Sequence, residues 1–313
     1  MEIIRDLDAL DKPLKKAVIT IGNFDGVHIG HQALFQKVIE KAQSIHGTAV
    51  AMTFEPHPLQ VLAPGNHPPV ITMPEQKKEL IEKTGIDVLI CIPFTREFAS
   101  HSARSFVVDL LIKRLGMCAM VVGHDYSFGR NREGNLALLL QWAAELDFQV
   151  LVVDWIQSPA GELQRISSTQ IRESVMNGNM EEARNMLGRN FQLRGVVAGG
   201  RNRGGRLLGF PTANVRLKDE LCPKQGIYAV TVELDRQLYQ GVANIGYSPT
   251  FDDHMFTVEV HILDFHQNIY NAPIYINFIR RLRDEIKFDG IEALKSQIHK
   301  DVAYARDVLA DTQ

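Results

Sequence analysis

The sequence predicts two domains of different class: an α/β domain on a parallel sheet over residues 1–187, then a small antiparallel β-barrel with a terminal helix over residues 188–313. Three observations predict this. Up to about Trp155, short apolar runs alternate with helical segments, the order of a parallel sheet covered by helices. Beyond Leu187 glycines become dense and apolar residues alternate along successive strands with no helix between them. Such strands form a small barrel, because closure removes exposed edges. The tail then places Ile291, Leu294, Ile298, Val302, Ala305 and Leu309 at helical spacing, the apolar face of one helix packed on that barrel.

Composition sets the outer bounds. A chain of 313 residues, 45% hydrophobic and 23% charged, is long enough for two cores. Its net charge of −3 argues against a general affinity for nucleic acid, which needs a basic surface. Cys91, Cys118 and Cys222 are far apart and odd in number, so neither a disulfide framework nor a paired-cysteine metal site is indicated. The start, Met1-Glu2-Ile3-Ile4-Arg5-Asp6, lacks a signal peptide's apolar region, and no run is long and uncharged enough to span a bilayer. A cytoplasmic protein is expected.

In the first domain, strands are predicted at 17–21, 48–54, 88–92, 119–122 and 150–153, and helices at 32–42, 102–115 and 135–146. The segment 102–115 carries its own limits: Ser102 caps it, Phe106, Leu110 and Leu111 form its stripe, and Gly116 stops it. The stretch between the first strand and first helix, Gly22-Asn23-Phe24-Asp25-Gly26-Val27-His28-Ile29-Gly30-His31-Gln32, is the one around which the domain is organised. Gly22, Gly26 and Gly30 allow close backbone approach, and the helix behind turns its free N–H groups and positive dipole end to the same place. His28 and His31 add two imidazole donors to this anion site. Two readings stay open on these residues alone: a metal site made of Asp25, His28 and His31, and surface histidines on a structural glycine turn.

If the sheet is parallel, the turns after other strands meet at the same edge, where ligands of such sheets bind. These are Glu55-Pro56-His57-Pro58 and Gly123-His124-Asp125, whose prolines and aspartate fit equally a stiffened loop and a loop cap. Near the end of the domain, Ile166-Ser167-Ser168-Thr169-Gln170-Ile171-Arg172 places hydroxyls at a helix start, as caps or as phosphate contacts, with Arg172 one turn on as a cationic fork or a surface charge.

A helix over 180–187 ends at Gly188-Arg189-Asn190, and barrel strands are predicted at 193–197, 227–232, 239–243, 257–262 and 274–278. The chemistry-bearing segment here is Gly209-Phe210-Pro211-Thr212-Ala213-Asn214, preceded by the basic, glycine-rich run from Gly199 to Arg206 that includes Gly200 and Gly205. No Gly-Lys-Ser/Thr closes it, so it is not a Walker loop; it reads either as backbone N–H groups beside arginines that cradle phosphates or as a merely solvated basic loop. Thr212 and Asn214 offer neutral oxygens that suit Mg2+ when substrate phosphates supply the charge. Glu259 lies on the strand face opposite Val258, Val260 and Ile262, either as a solvent-facing carboxylate or as a functional one.

On these motifs nearly the whole chain resembles the bacterial bifunctional riboflavin kinase/FAD synthetases. The eleven-residue turn resembles their HxGH signature, Phe54 to Pro58 their FxPHP, Gly123 to Gly129 their GxDxxFG, and Ile166 to Arg172 their ISSTxxR. GFPTAN is a hallmark of riboflavin kinases, backed here by 226–230, 241–246 with Pro249 and Thr250, and 280–288. The resemblance implies a Rossmann-like nucleotidyltransferase domain over 1–187 that makes FAD and pyrophosphate from FMN and ATP. It implies a kinase domain over 188–313 that makes FMN from riboflavin with Mg2+ and ATP. It names His28, His31 and Glu259 as catalytic, with Glu259 as the base for the ribityl 5′-hydroxyl. Gly22, Asn23, Phe24, Asp25, Gly30, His57, Asp125, Ser168, Thr169 and Arg172 are the implied ATP and FMN contacts of the first site. Gly200, Gly205, Thr212 and Asn214 are those of the second, with Thr212 and Asn214 on the metal. The implied partners are small molecules, with no nucleic acid and no membrane, and a weak homo-oligomer left open.

Two departures from the family pattern bear on kinase efficiency: a loop from Gly200 to Gly209 longer by one residue, and Asn271 where glycine is common. Rival functions are a flavin-binding regulator without turnover, and an adenylyltransferase for another phosphate acceptor. The intact catalytic set speaks against the first and GFPTAN against the second.

Overall fold

The computed structural model describes residues 1–8, 10–157, 163–198, 210–216, 220–247 and 256–310. The chain divides into two compact units, Met1–Ser167 and Ser168–Gln313. Its change in sequence character lies further on, past residue 187, so the helices between count with the second unit by packing.

The first unit is organised by a six-stranded sheet, all of whose pairings are parallel: β1 (Glu2–Ile4), β2 (Ala17–Ile21), β3 (Thr48–Glu55), β4 (Val88–Pro93), β5 (Met117–Gly123) and β6 (Gln149–Val153). Five are the expected strands, β2 with the expected bounds and the other four slightly wider. The sixth, β1, is three residues at the sheet edge beside β4, too short for its periodicity to announce it. The order is β1-β4-β3-β2-β5-β6. From β2 the chain runs outward through β3 and β4, then returns to the other side of β2 for β5 and β6. The strand order therefore reverses between β2 and β5, and in open α/β sheets ligands bind outside the carboxyl ends of the strands at such a reversal.

All five residues of β2 are buried, because helices cover both faces. Val18 packs with Phe35 and Val38 of α1 (Ile29–Ser44) and Ile81 of α2 (Pro74–Glu82). Ala17, Ile19 and Ile21 face the opposite core. Full burial of each valine or isoleucine contributes about 1.5–3 kcal/mol. The helix α3 over 103–114 starts as expected, with the Ser102 hydroxyl accepting from the Ser105 N–H, and ends at Gly116, whose φ is 70°. Its body differs from a plain α-helix: residues Phe106–Arg114 wind as a π-helix. The wider turn brings Phe106 and Leu111, five residues apart, onto one buried face. The next helix, α4 (Leu136–Leu146), is capped by Asn135, whose side chain accepts from Leu138 N–H.

In the second unit, α5 (Ser168–Asn177) packs on α6 (Met180–Leu187). A closed, wholly antiparallel barrel follows: β7 (Phe191–Ala198), β8 (Ala213–Arg216), β9 (Gly226–Leu234), β10 (Gln237–Tyr247), β11 (Phe256–Ile262) and β12 (Pro273–Arg283). Around the barrel the order is β7-β8-β11-β10-β9-β12. Tyr228, Val230, Val232, Val258, Val260, Ile274, Ile276 and Phe278 are buried and alternate along their strands as its filling. On the outside, Ala229 packs with Ala305, Val308 and Leu309 of α7 (Ile291–Ala310), the expected terminal helix. Asp301, 6% exposed, pairs with Arg283 at 2.6 Å and fixes that helix to β12.

Candidate active sites

In the first unit the turn after β2 is held in strain. Phe24 and Val27 have φ of 49° and 41°, a backbone that a bulky or β-branched residue adopts at a cost of about 1–3 kcal/mol. Packing offsets that cost, since both are 1% exposed and Phe24 meets Phe35 edge-on at 4.7 Å. Asp25 is 5% exposed, and its carboxylate accepts from Ile71 N–H at 3.0 Å and Thr72 N–H at 3.1 Å. The Thr72 hydroxyl lies 3.3 Å from the same carboxylate and accepts from Gly26 N–H at 3.1 Å. The aspartate thus ties the turn to the 71–72 segment. Asn23 turns its carbonyl inward, accepting from the Thr53 hydroxyl at 3.2 Å and Lys77 Nζ at 3.4 Å.

His28, 5% exposed, is the N-cap of α1, and its Nδ1 accepts from His31 N–H at 3.3 Å. A neutral ring bonded this way carries its proton on Nε2. The His31 ring stacks on it at 3.5 Å and meets Phe24 edge-on at 5.3 Å. Gly30 is fixed by this arrangement: a Cβ there would lie 3.1 Å from the His28 ring and 3.9 Å from the Ile166 carbonyl. Of the two readings left open for the histidines, the metal site has no support in the geometry. Among the described residues no three His, Cys, Asp or Glu side chains converge.

The other predicted loops leave the same sheet edge. His57 caps a short helix, Pro58–Leu62, with Nδ1 accepting from Leu59 N–H at 3.2 Å. Asp125 is exposed at the end of β5 and pairs with Arg165 at 2.6 Å. Beside it His124 meets Asp154 at 2.8 Å, and the Arg165 guanidinium lies over the Trp155 ring at 5.7 Å. Between the ends of β3 and β5 runs a chain of ring contacts that the sequence reading missed. Phe54 meets Phe94 at 5.5 Å and Phe98 at 5.9 Å, Phe98 meets Phe106 at 6.1 Å, and Phe106 meets Phe128, which Tyr126 stacks on at 5.2 Å. No local period links these rings.

Lys77 was also missed. It is 8% exposed under the turn, and its Nζ donates to the Thr53 hydroxyl at 3.1 Å. Burial lowers its pKa, against the pull of Glu55 and Asp25. Its signal in the sequence is position, one helical turn before the buried Ile81.

In the second unit, Ser168, Thr169 and Arg172 fall in the first turns of α5, as the motif required. Thr212 is exposed just before β8, and Asn214 is half-buried within it. Register joins Asn214 to Glu259, so GFPTAN and the predicted base meet across one ladder rung. Burial raises the Glu259 pKa, and the Glu285 carboxylate raises it further. Glu285 comes so close to Gly246 that a Cβ there would overlap its Oε1. Phe210 meets His261 edge-on at 5.3 Å and His299 of α7 at 5.0 Å, while His261 Nδ1 lies 2.8 Å from the Pro211 carbonyl. Gly200, Gly205, the longer loop to Gly209, and Pro249 with Thr250 lie outside the described residues.

Comparison with known proteins matches both parts of the chain. The family profile described as FAD synthetase matches residues 10–170, and that described as riboflavin kinase matches 187–309. A Haemophilus influenzae protein named bifunctional riboflavin kinase/FMN adenylyltransferase is 39% identical over 98% of each chain. The chain belongs to that bifunctional family. An Escherichia coli relative of the same name is 36% identical over 100% of this chain and 99% of its own. A Listeria monocytogenes relative is 41% identical over 91% and 90%. A solved structure described as a macrolide-efflux protein from Streptococcus pneumoniae superposes with a TM-score of 0.86 at 33% identity, over 97% of this chain and 98% of that one. Among the described residues no helix is long and apolar enough to cross a membrane. The chain of this bifunctional family therefore carries an FAD synthetase domain, then a riboflavin kinase domain, in that order.

Proposed function

We propose that the enzyme works in two consecutive steps at separate sites, phosphorylating riboflavin to FMN and then adenylylating FMN to FAD. The functional division is proposed at 187/188, one residue after the riboflavin kinase match begins at 187. The observation that carries the reading is the pair of alignments: the two histidines behind the strand-order reversal, and Glu259 in register with Asn214.

In FAD formation an FMN phosphate oxygen attacks the α-phosphorus of ATP, and the bond to the β-phosphate oxygen breaks as pyrophosphate leaves. The attacking phosphate is already ionised, so no base is needed. His28 Nε2–H and His31 stabilise charge gathering on the leaving group. Gly22, Asn23, Phe24 and Gly30 shape the turn, with Asp25 fixing it from behind. His57, Asp125, and the helix start Ser168 and Thr169 with Arg172 supply further polar contacts for ATP and FMN phosphates. The ring series from Phe54 to Tyr126 offers an apolar face for the isoalloxazine.

In FMN formation Glu259 takes the proton of the ribityl 5′-hydroxyl as that oxygen attacks the γ-phosphorus of ATP, releasing ADP. The oxygens of Thr212 and Asn214, beside a carboxylate, fit Mg2+, a hard cation that accepts neutral ligands when phosphates bring the charge. Bound there, the ion would offset phosphate charge during transfer. Gly200 and Gly205 are proposed as the backbone cradle of the same nucleotide. The substrates are small molecules and the cysteines are free thiols, which fits a cytoplasmic enzyme. The test is chromatography of the products formed by the purified protein from riboflavin, ATP and magnesium. FMN followed by FAD is expected, and absence of either removes the corresponding half of the proposal.

A further inference from the structure

Beside Glu259 the kinase unit holds a buried polar atom that these roles leave unused. In β10, Asn244 is paired with Glu259 of β11, which is itself paired with Asn214 of β8. Residues directly opposed in antiparallel ladders project to the same face. The three side chains therefore form a row across three strands, and they stand on the outer face: the alternate residues Ala243, Ile245, Val258, Val260 and Val215 are buried inside the barrel. Asn214 and Asn244 thus flank the carboxylate on opposite sides. Asn214 belongs to the segment of Thr212 and the phosphates. On the other flank, Asn244 Oδ1 is buried with no hydrogen-bond partner among the described residues. A buried amide oxygen left unpaired is costly, and such an atom beside a reacting group points to a donor that arrives with the substrate.

We propose that Asn244 is a specificity-determining residue of the kinase, whose side-chain oxygen accepts a hydrogen bond from a secondary hydroxyl of the ribityl chain. The proposal rests on the kinase reading of Glu259. Neighbouring strands are about 4.8 Å apart, comparable to the span in an extended polyol from a primary hydroxyl to a hydroxyl one or two carbons away. With the 5′-hydroxyl at Glu259, the 4′- or 3′-hydroxyl reaches the Asn244 position. A chain lacking that hydroxyl leaves the amide oxygen unpaired in the complex and is discriminated against.

The test measures kcat/KM for phosphorylation of riboflavin, 3′-deoxyriboflavin and 4′-deoxyriboflavin by the full-length enzyme, Asn244→Ala and Asn244→Asp, with thermal melts to check folding. The unaltered enzyme should prefer riboflavin over one deoxy compound by about 10- to 100-fold. Asn244→Ala should bring that ratio close to one by losing rate on riboflavin and not on the analogue. Asn244→Asp keeps an acceptor oxygen and should keep the preference. An equal loss on all three substrates in Asn244→Ala, or no preference in the unaltered enzyme, overturns the proposal. Failure of the unaltered enzyme to make any FMN removes the kinase reading itself, and this proposal with it.

Discussion

The ring of His28 stacks on that of His31 at 3.5 Å, and the His28 Nδ1 accepts the His31 backbone N–H. One histidine is thereby held in a fixed orientation and tautomer by the backbone of the other. Replacing His28 with alanine removes a donor and uncovers the helix start it caps. FAD formation from supplied FMN should fall about 10²- to 10³-fold, while FMN formation from riboflavin persists. Equal loss of both activities would contradict separate sites.

Asp25 should behave as a fastener of the turn. Asp25→Ala leaves the Ile71 and Thr72 N–H groups without their buried acceptor, and a hydrogen bond to a charged group contributes about 1.5–3 kcal/mol. At about 2–4 °C per kcal/mol for a unit of this size, calorimetry should show a drop of several degrees in melting temperature. FAD synthesis should be impaired through a raised KM for ATP. A variant that melts like the parent yet loses FAD synthesis would instead make Asp25 a direct ligand.

The kinase pH profile should carry the mark of Glu285. Burial first, and the Glu285 charge second, favour the protonated form of Glu259 and raise its pKa. In the proposed role Glu259 works ionised, so rate should be lost as pH falls through that raised value. Glu285→Gln removes the like charge, stabilises the ionised form, and should shift the acid limb of kcat for FMN formation to lower pH. Burial remains, so the limb should stay above the ordinary glutamate range. An unmoved limb would show that the two carboxylates do not couple.

Asn271 occupies a left-handed backbone, with φ of 64°. Glycine adopts that conformation without the Cβ penalty, and asparagine tolerates it better than most. Asn271→Gly should therefore change folding stability by no more than about 1 kcal/mol, measured by denaturant titration. A loss well beyond that would mean the side chain makes a contact that the backbone does not require.

Much of the candidate site was legible because its residues are adjacent in sequence. Gly22 to Gln32 carries its own strand end, turn and helix start, and Ser102, Asn135 and Gly116 mark helix limits by local hydrogen bonding or backbone freedom. Lys77, Asn244 and the rings of Phe54, Phe94, Phe98 and Phe106 were not assigned in this way. Lysine beside Lys78 reads as a surface charge until the helix buries it, and an asparagine in a strand gives no sign of which carboxylate lies across the ladder. The π-helix over Phe106–Arg114 escaped for the same reason, since the winding answers to the core it faces.

By itself the sequence determined that a parallel α/β domain precedes a barrel, and it marked a histidine turn and a threonine–asparagine segment as the candidate sites. Those are properties of period, turn residues and local spacing. Only the tertiary structure decided that the strand order reverses between β2 and β5, that Asp25 faces Ile71 and Thr72, and that Asn214, Glu259 and Asn244 form one row. Strand order and register are fixed by burial and pairing between segments far apart in the chain, which no local pattern encodes.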